Sequence, residues 1–242
     1  IKKINFGART LRRTDKKMKF ENTIEFARSM DENDPLRKFR NEFLFPQHDG
    51  KDAIYFCGNS LGLQSSAVKY LMDVELADWA KYGVEGHFQA KSPWFSYHQQ
   101  FAEPLAKIVG AQKEEVVAMN TLTVNLHLLL LSFYRPANGR YKIIMEAGAF
   151  PSDQYAIETQ VLMYGYDPNE AIIEISPRDN DHIIQEEDIL AAIENAGDSL
   201  ALVLFGGVNY YTGQLFDMKM ITNAAHKVGA YCGFDLAHAV GN

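Results

Sequence analysis

Cysteine is nearly absent from this 242-residue chain: Cys57 and Cys232 stand far apart and are the only two. Two isolated thiols build no disulfide scaffold, and neither has a ligand-like partner at short spacing, so a reducing cytoplasm is the expected home. Long apolar runs are missing too. The longest, residues 126–133, is interrupted by His127 and Ser132 and falls far short of the roughly 20 residues that span a bilayer. Positive charge is in deficit, with 24 basic against 31 acidic residues and a formal net charge of −7. That balance argues against nucleic acid and anionic membranes as partners. The basic start (Lys2, Lys3, Arg9, Arg12, Arg13) has no apolar run behind it, so it reads as a solvated lead-in rather than a signal peptide. No internal repeat and no low-complexity segment is found.

What is there is ordinary globular composition, 47% hydrophobic and 12% aromatic. A chain of this length is expected to bury roughly 70% of its unfolded surface in a substantial core. Residues 1–50 read as a polar, helical lead-in with Ile24, Phe26 and Met30 on a weak apolar face, followed by Leu36, Phe39, Phe43 and Leu44 at helical spacing. Residues 53–57 form a short β-prone run, stopped by Gly58-Asn59-Ser60-Leu61-Gly62. A helix from Ser65 places Val68, Leu71, Met72, Leu76 and Trp79 on one stripe, and residues 82–93 read as a loop. No linker is expected after residue 60.

Beyond Trp94 the pattern becomes regular. Strands are predicted at 116–119, 141–146, 171–175, 200–205 and 230–236, and helices at 101–109, 123–133, 152–162, 186–196 and 218–228. This alternation predicts an α/β fold, a mostly parallel central sheet with helices on both faces. The unrelieved apolar run 200–205 is expected at its centre.

Ligands of such sheets bind beyond the carboxyl ends of the strands, so chemistry is expected at the strand exits. Residues 120–123, ahead of the apolar helix, suit an anion at a helix start, although Thr121 or Thr123 also fits a plain N-cap. Phe150 could stack on a planar ligand or pack in the core. Asp153 suits the first helical turn that follows. The loop Gly206-Gly207-Val208-Asn209-Tyr210-Tyr211-Thr212-Gly213 combines close backbone approach with polar aromatics, as a site rim does. Asp235 and His238 close the chain. A metal site would need a third convincing ligand, which no tight cluster supplies. The alternatives are an acid holding a proton on the ring nitrogen of an organic cofactor, or a simple cap with a locally bonded histidine.

Four segments then carry a resemblance: Tyr55-Phe56-Cys57-Gly58-Asn59-Ser60-Leu61-Gly62-Leu63-Gln64, Leu122-Thr123-Val124-Asn125-Leu126-His127, Phe150-Pro151-Ser152-Asp153, and the closing Gly233-Phe234-Asp235-Leu236-Ala237-His238-Ala239-Val240-Gly241-Asn242. Joined by Trp79, His87 and Pro93-Trp94, the set resembles the kynureninases from about Pro35 onward. The resemblance implies a fold-type-I pyridoxal 5′-phosphate enzyme of the class-V aminotransferase-like group. Such enzymes hydrolyse L-kynurenine, and often its 3-hydroxy form, to anthranilate (or 3-hydroxyanthranilate) and L-alanine, in tryptophan catabolism and NAD biosynthesis. It implies that Leu122 and Thr123 hold the cofactor phosphate, Phe150 stacks on the pyridine ring, and Asp235 binds the ring nitrogen, with Asp153 and His238 close by. Ser60 and His87 would line the substrate pocket, and the intact protein would be a homodimer. Gly206 departs from the family, where some members carry serine, which puts a phosphate-side or rim contact in doubt.

The same resemblance places the Schiff-base lysine, a proton-donating tyrosine and a small C-terminal domain beyond Asn242. Residues 51–242 are therefore expected to be the first part of a large cofactor domain, truncated and inactive alone. Two alternatives stand beside this reading: another enzyme of the fold group, such as a cysteine desulfurase, selenocysteine lyase or aminotransferase, or a non-catalytic binding module on the same scaffold.

Overall fold

The computed structural model describes residues 19–179 and 181–241. The basic lead-in of the first eighteen residues and the terminal Asn242 lie outside the described residues. The chain divides into two compact units, one up to Asp73 and one from Val74.

In the first unit, α1 (Ile24–Asn33) starts where the Thr23 side chain accepts the Phe26 N–H at 3.2 Å, a cap that satisfies one orphan donor. Its proposed apolar face is not buried. The helical spacing of Leu36, Phe39, Phe43 and Leu44 yields only a 3₁₀ segment (Arg37–Glu42), after which β1 (Phe43–Leu44) is extended. β2 (Gln47–His48) and β3 (Lys51–Asp52) form a hairpin. Its turn residues Asp49 and Gly50 have φ of 50° and 73°, the left-handed pair that a two-residue hairpin requires. β1 pairs antiparallel with β4 (Gln64–Ser65).

The β-prone run 53–57 is not a strand. Among the described residues it joins no ladder; Ile54 and Phe56 are 86% and 92% exposed, and the alternation only half-buries Ala53 and Tyr55. The Gly58–Gly62 segment does turn as expected, with the Ser60 and Leu61 N–H groups both donating to the Cys57 carbonyl. α2 (Val68–Tyr82) carries the chain across the unit boundary, its apolar stripe uncovered.

In the second unit the expected loop at 82–93 is partly helical, with a 3₁₀ turn followed by α3 (Gly86–Gln89). α4 (Gln99–Val109) ends at Gly110 in the left-handed conformation, a usual helix stop. Val116 is extended, but residues 116–119 pair with no strand among the described residues, so the predicted strand does not form there. α5 (Leu122–Phe133), β5 (Lys142–Glu146), α6 (Pro151–Met163), α7 (Pro168–Ala171), β6 (Ile172–Ile175), α8 (Glu186–Ala196), β7 (Leu200–Gly206), α9 (Met218–Lys227) and β8 (Tyr231–Asp235) follow in order. The strands form one parallel sheet in the order β6-β5-β7-β8.

The two faces of that sheet carry separate cores. Ile143 and Met145 of β5 with Leu202 and Leu204 of β7 meet Leu126 and Leu130 of α5 and Ile157 and Val161 of α6. Ile144, Val203 and Phe205 point the other way, toward Ile189 and Ile193 of α8 and Ile221 and Ala225 of α9. This is the period-2 split of strands covered on both sides. The β5–β7 register slips between Lys142 and Ile143, and Ala201 and Leu202 accordingly fall in the same core. β7 lies inside the sheet, as its unbroken apolar run predicts. Among the described residues no helix is long and apolar enough to cross a membrane.

The amino end of the sheet is closed by polar stitching. One guanidinium nitrogen of Arg140 donates to the carbonyls of Leu200 and Val228, and the Tyr134 hydroxyl donates to the Tyr141 carbonyl at 2.7 Å.

Candidate active site

Parallel pairing brings the carboxyl ends of β5, β7 and β8 side by side, so Glu146, Gly206 and Asp235 end neighbouring strands. β5 and β8 each end on a carboxylate, Glu146 and Asp235, while β7 ends on Gly206. β5 leaves through Gly148, at φ 66°, and Phe150. The ring of Phe150 stays 50% exposed rather than joining the core. Pro151 then opens α6, which puts Asp153 in its first turn.

Asp153 is 7% exposed, and its side chain hydrogen-bonds that of Asp235. Two carboxylates bond only through a shared proton. Burial first, then the bond to Asp235 and the charges of Asp235 and Glu146, push the Asp153 carboxyl from its ordinary 3.8 up to about 7. The Ser152 hydroxyl, 3.2 Å from Asp153 Oδ1, pulls the other way. Asp235 Oδ1 also accepts the Ala237 N–H at 2.7 Å, so the capping role weighed from sequence is present together with the acid pair.

The rim is aromatic. Tyr210 meets Phe150 edge-on at 5.3 Å between centroids, and its ring lies 6.2 Å from that of His238. A cavity of about 600 Å³ runs between α5 and β8, with Leu122, Asn125, Phe234, Asp235 and Ala237 among its walls. Thr121, just before α5, makes no side-chain cap bond to the helix, which leaves the first-turn N–H groups to an external acceptor. Asn125 Oδ1 is buried and unpartnered.

The structure thus gathers Phe150, Asp153, Asp235 and His238 around one strand-end cluster, with Leu122 and the neighbouring Thr123 at the helix start beside the adjoining cavity. It leaves Ser60 in the turn of the other unit. His87, on α3, bonds through Nδ1 to the Val84 carbonyl at 2.8 Å and packs edge-on to Trp94 at 5.5 Å. Its described contacts stay within its own segment. Glu146 was overlooked in the sequence, where it reads as a strand boundary. The available signal was its likeness to Asp235, a carboxylate ending an apolar strand.

Several known proteins resemble this chain. It is 61% identical over 225 residues to a kynureninase of Flavobacterium psychrophilum, covering 93% of this chain and 53% of that protein. A kynureninase of Nematostella vectensis is 54% identical over 230 residues, covering 90% and 50%. The chain therefore spans about half the length of the curated relatives it matches. Among solved structures, a cysteine desulfurase from Thermococcus onnurineus superposes with a TM-score of 0.58 at 18% identity, over 90% of this chain and 48% of that one. A cystine C-S lyase in complex with cysteine persulfide gives 0.56 at 12% identity, over 75% and 46%. These two likenesses speak for the fold alone. The profile of one family matches residues 90–242, a stretch that contains the whole sheet and every part of the acid cluster, and the chain belongs to that family, the DegT/DnrJ/EryC1/StrS aminotransferases.

Proposed function

We propose that this chain supplies the cofactor-binding part of a kynureninase. In the whole protein, water and L-kynurenine would give anthranilate and L-alanine, and 3-hydroxykynurenine would give 3-hydroxyanthranilate and L-alanine, with pyridoxal 5′-phosphate as cofactor. The observation that carries this reading is the pairing of buried Asp153 with half-buried Asp235 at the carboxyl end of the sheet, in a chain 61% identical to a kynureninase.

The residues present fit that cofactor. A pair of acids with Glu146 close by has surplus negative charge, which a protonated ring nitrogen would balance. The uncapped start of α5, whose first-turn N–H groups are donors, suits a phosphate. Bound there, the cofactor supplies an electron sink next to the substrate's α-carbon.

The chain's own residues would then act as follows. Asp235 accepts the ring N–H and keeps the proton in place. Protonated Asp153 donates a hydrogen bond to Asp235 and so fixes which carboxylate oxygen faces the ring. Phe150 stacks on one ring face, with Tyr210 supporting it edge-on, and His238 borders the same rim. Leu122 and Thr123 hold the phosphate through backbone N–H and hydroxyl. Ser60 and His87 line the substrate pocket in this reading, on the strength of the motifs that contain them. A carbonyl only accepts, so the bond to Val84 puts the proton of His87 on Nδ1 and leaves Nε2 to face a ligand. A cytoplasmic homodimer belongs to the same proposal.

The test is anthranilate fluorescence from L-kynurenine with the whole protein. Release of anthranilate with the cofactor bound is expected. A protein that binds the cofactor yet releases none refutes the substrate assignment, and desulfurase or aminotransferase assays would then take its place.

A further inference from the structure

We propose that Glu146 is a positioning residue, which holds the loop after β7 so that Tyr210 stands against Phe150 at the cofactor site. The inference rests on the functional reading above.

Glu146 is only 5% exposed and is not matched by any cation among its described contacts. A buried carboxylate is costly unless donors surround it. Here Oε1 accepts the Gly206 N–H at 3.0 Å, and Oε2 accepts the Asn209 side-chain amide at 2.7 Å. The first bond ties β5 to the exit of β7, 60 residues further along. The second orients the amide of Asn209, whose Oδ1 in turn accepts the N–H of Tyr211 (3.0 Å), the N–H of Thr212 (2.8 Å) and the Thr212 hydroxyl (3.0 Å). One carboxylate thereby fixes the loop on both sides of Tyr210. That ring is the one that meets Phe150 at 5.3 Å and lies 6.2 Å from His238.

Gly206 is part of the arrangement. A Cβ at that position would lie 2.8 Å from Glu146 Oε1, so a side chain there requires the carboxylate to move. The charge of Glu146 also helps to push Asp153 up. The same residue therefore reaches both the aromatic wall and the acid pair.

Polarity reversal separates positioning from mere packing. Glu146→Gln keeps the acceptor for Gly206 but turns an NH₂ group toward the NH₂ of Asn209. Adding Asn209→Asp reverses that bond, with the new amide donating to the new carboxylate, whose second oxygen still serves Tyr211 and Thr212. We expect Glu146→Gln to weaken pyridoxal phosphate binding by the whole protein about 10-fold, as loss of a charged, buried hydrogen bond does, and the double variant to return within about 3-fold of wild type. Hydrogen exchange on the cofactor-free protein should follow the same order, with the amides of Gly206, Tyr211 and Thr212 faster in the single variant and protected again in the double.

If Glu146→Gln does not fold, Asn209→Ala, which leaves the Gly206 bond in place, must show the same loss of binding. A folded Glu146→Gln protein with unchanged cofactor affinity overturns the inference, and so does a folded double variant that recovers nothing. A wild-type protein that takes up no pyridoxal phosphate is a different failure, since it removes the functional reading on which the inference rests.

Discussion

The two ends of the parallel sheet use polar residues in opposite ways. At the amino end, Arg140 satisfies the carbonyls of Leu200 and Val228, and Tyr134 satisfies that of Tyr141. Every group named there has its complement, and the result is a closed seam. At the carboxyl end, burial and the neighbouring carboxylates of Asp235 and Glu146 push the Asp153 carboxyl up. Half-exposed Phe150 stands beside them. One end is arranged for stability, and the other keeps a charge surplus that a ligand would relieve. Local conflict of this kind is what a binding site stores and a structural seam avoids.

The comparison can be broken at either end. The largest effect is expected from Asp235→Asn, which removes the negative charge that keeps a ring nitrogen protonated. Kynurenine hydrolysis by the whole protein should fall about 100-fold or more. The melting temperature should hold or rise, because the like charge beside Asp153 is gone. A large loss of Tm would place Asp235 with the structural residues instead.

Arg140→Met makes the converse prediction. Two carbonyls lose their donor, and the stability of the chain should fall by about 2 kcal/mol in denaturant unfolding. Cofactor affinity of the folded protein should not change. The ion pair to Asp198 contributes little here, because that carboxylate is fully exposed at 3.4 Å.

A smaller effect concerns pH. The Asp153 carboxyl is raised from 3.8 to about 7, so between those values the native chain holds a proton that the unfolded chain has released. Stability from this group is complete below 3.8 and is lost as pH rises through about 7. Urea unfolding of the cofactor-free protein should show this decline, and Asp153→Asn should flatten it. An unchanged slope in the variant would assign the decline to other groups. The smallest effect is expected from Phe150→Leu, about 3- to 5-fold weaker cofactor binding with no change in Tm, since a half-exposed ring stacks more than it packs.

Much of this architecture is legible in the sequence. β5 and β7 announce themselves because they are buried on both faces, and the run 200–205 could hardly lie elsewhere than inside. The failures share one cause. Residues 53–57 and 116–119 have strand-like side chains but no partner to pair with, and pairing is a tertiary fact. Phe43 and Leu44 likewise exchange a helical spacing for a ladder with Gln64 and Ser65.

At the site, Phe150, Asp153, Asp235 and His238 were readable as strand-exit residues, and the structure brings them together. Their coupling was not readable. That Asp153 keeps its proton depends on burial and on Asp235, and the work of Glu146 depends on the Gly206 N–H of another strand. Sequence spacing identifies which groups stand at strand ends, while the proton between them belongs to the folded state.

The central claim is that the carboxyl end of the sheet holds a protonated ring nitrogen against Asp235. The ¹⁵N chemical shift of ring-labelled pyridoxal phosphate bound to the whole protein reads that proton directly. A shift in the protonated pyridinium range, moving toward neutral pyridine in Asp235→Asn, is the predicted result. A neutral ring nitrogen in the wild-type protein, or a protonated one indifferent to that substitution, would contradict the account.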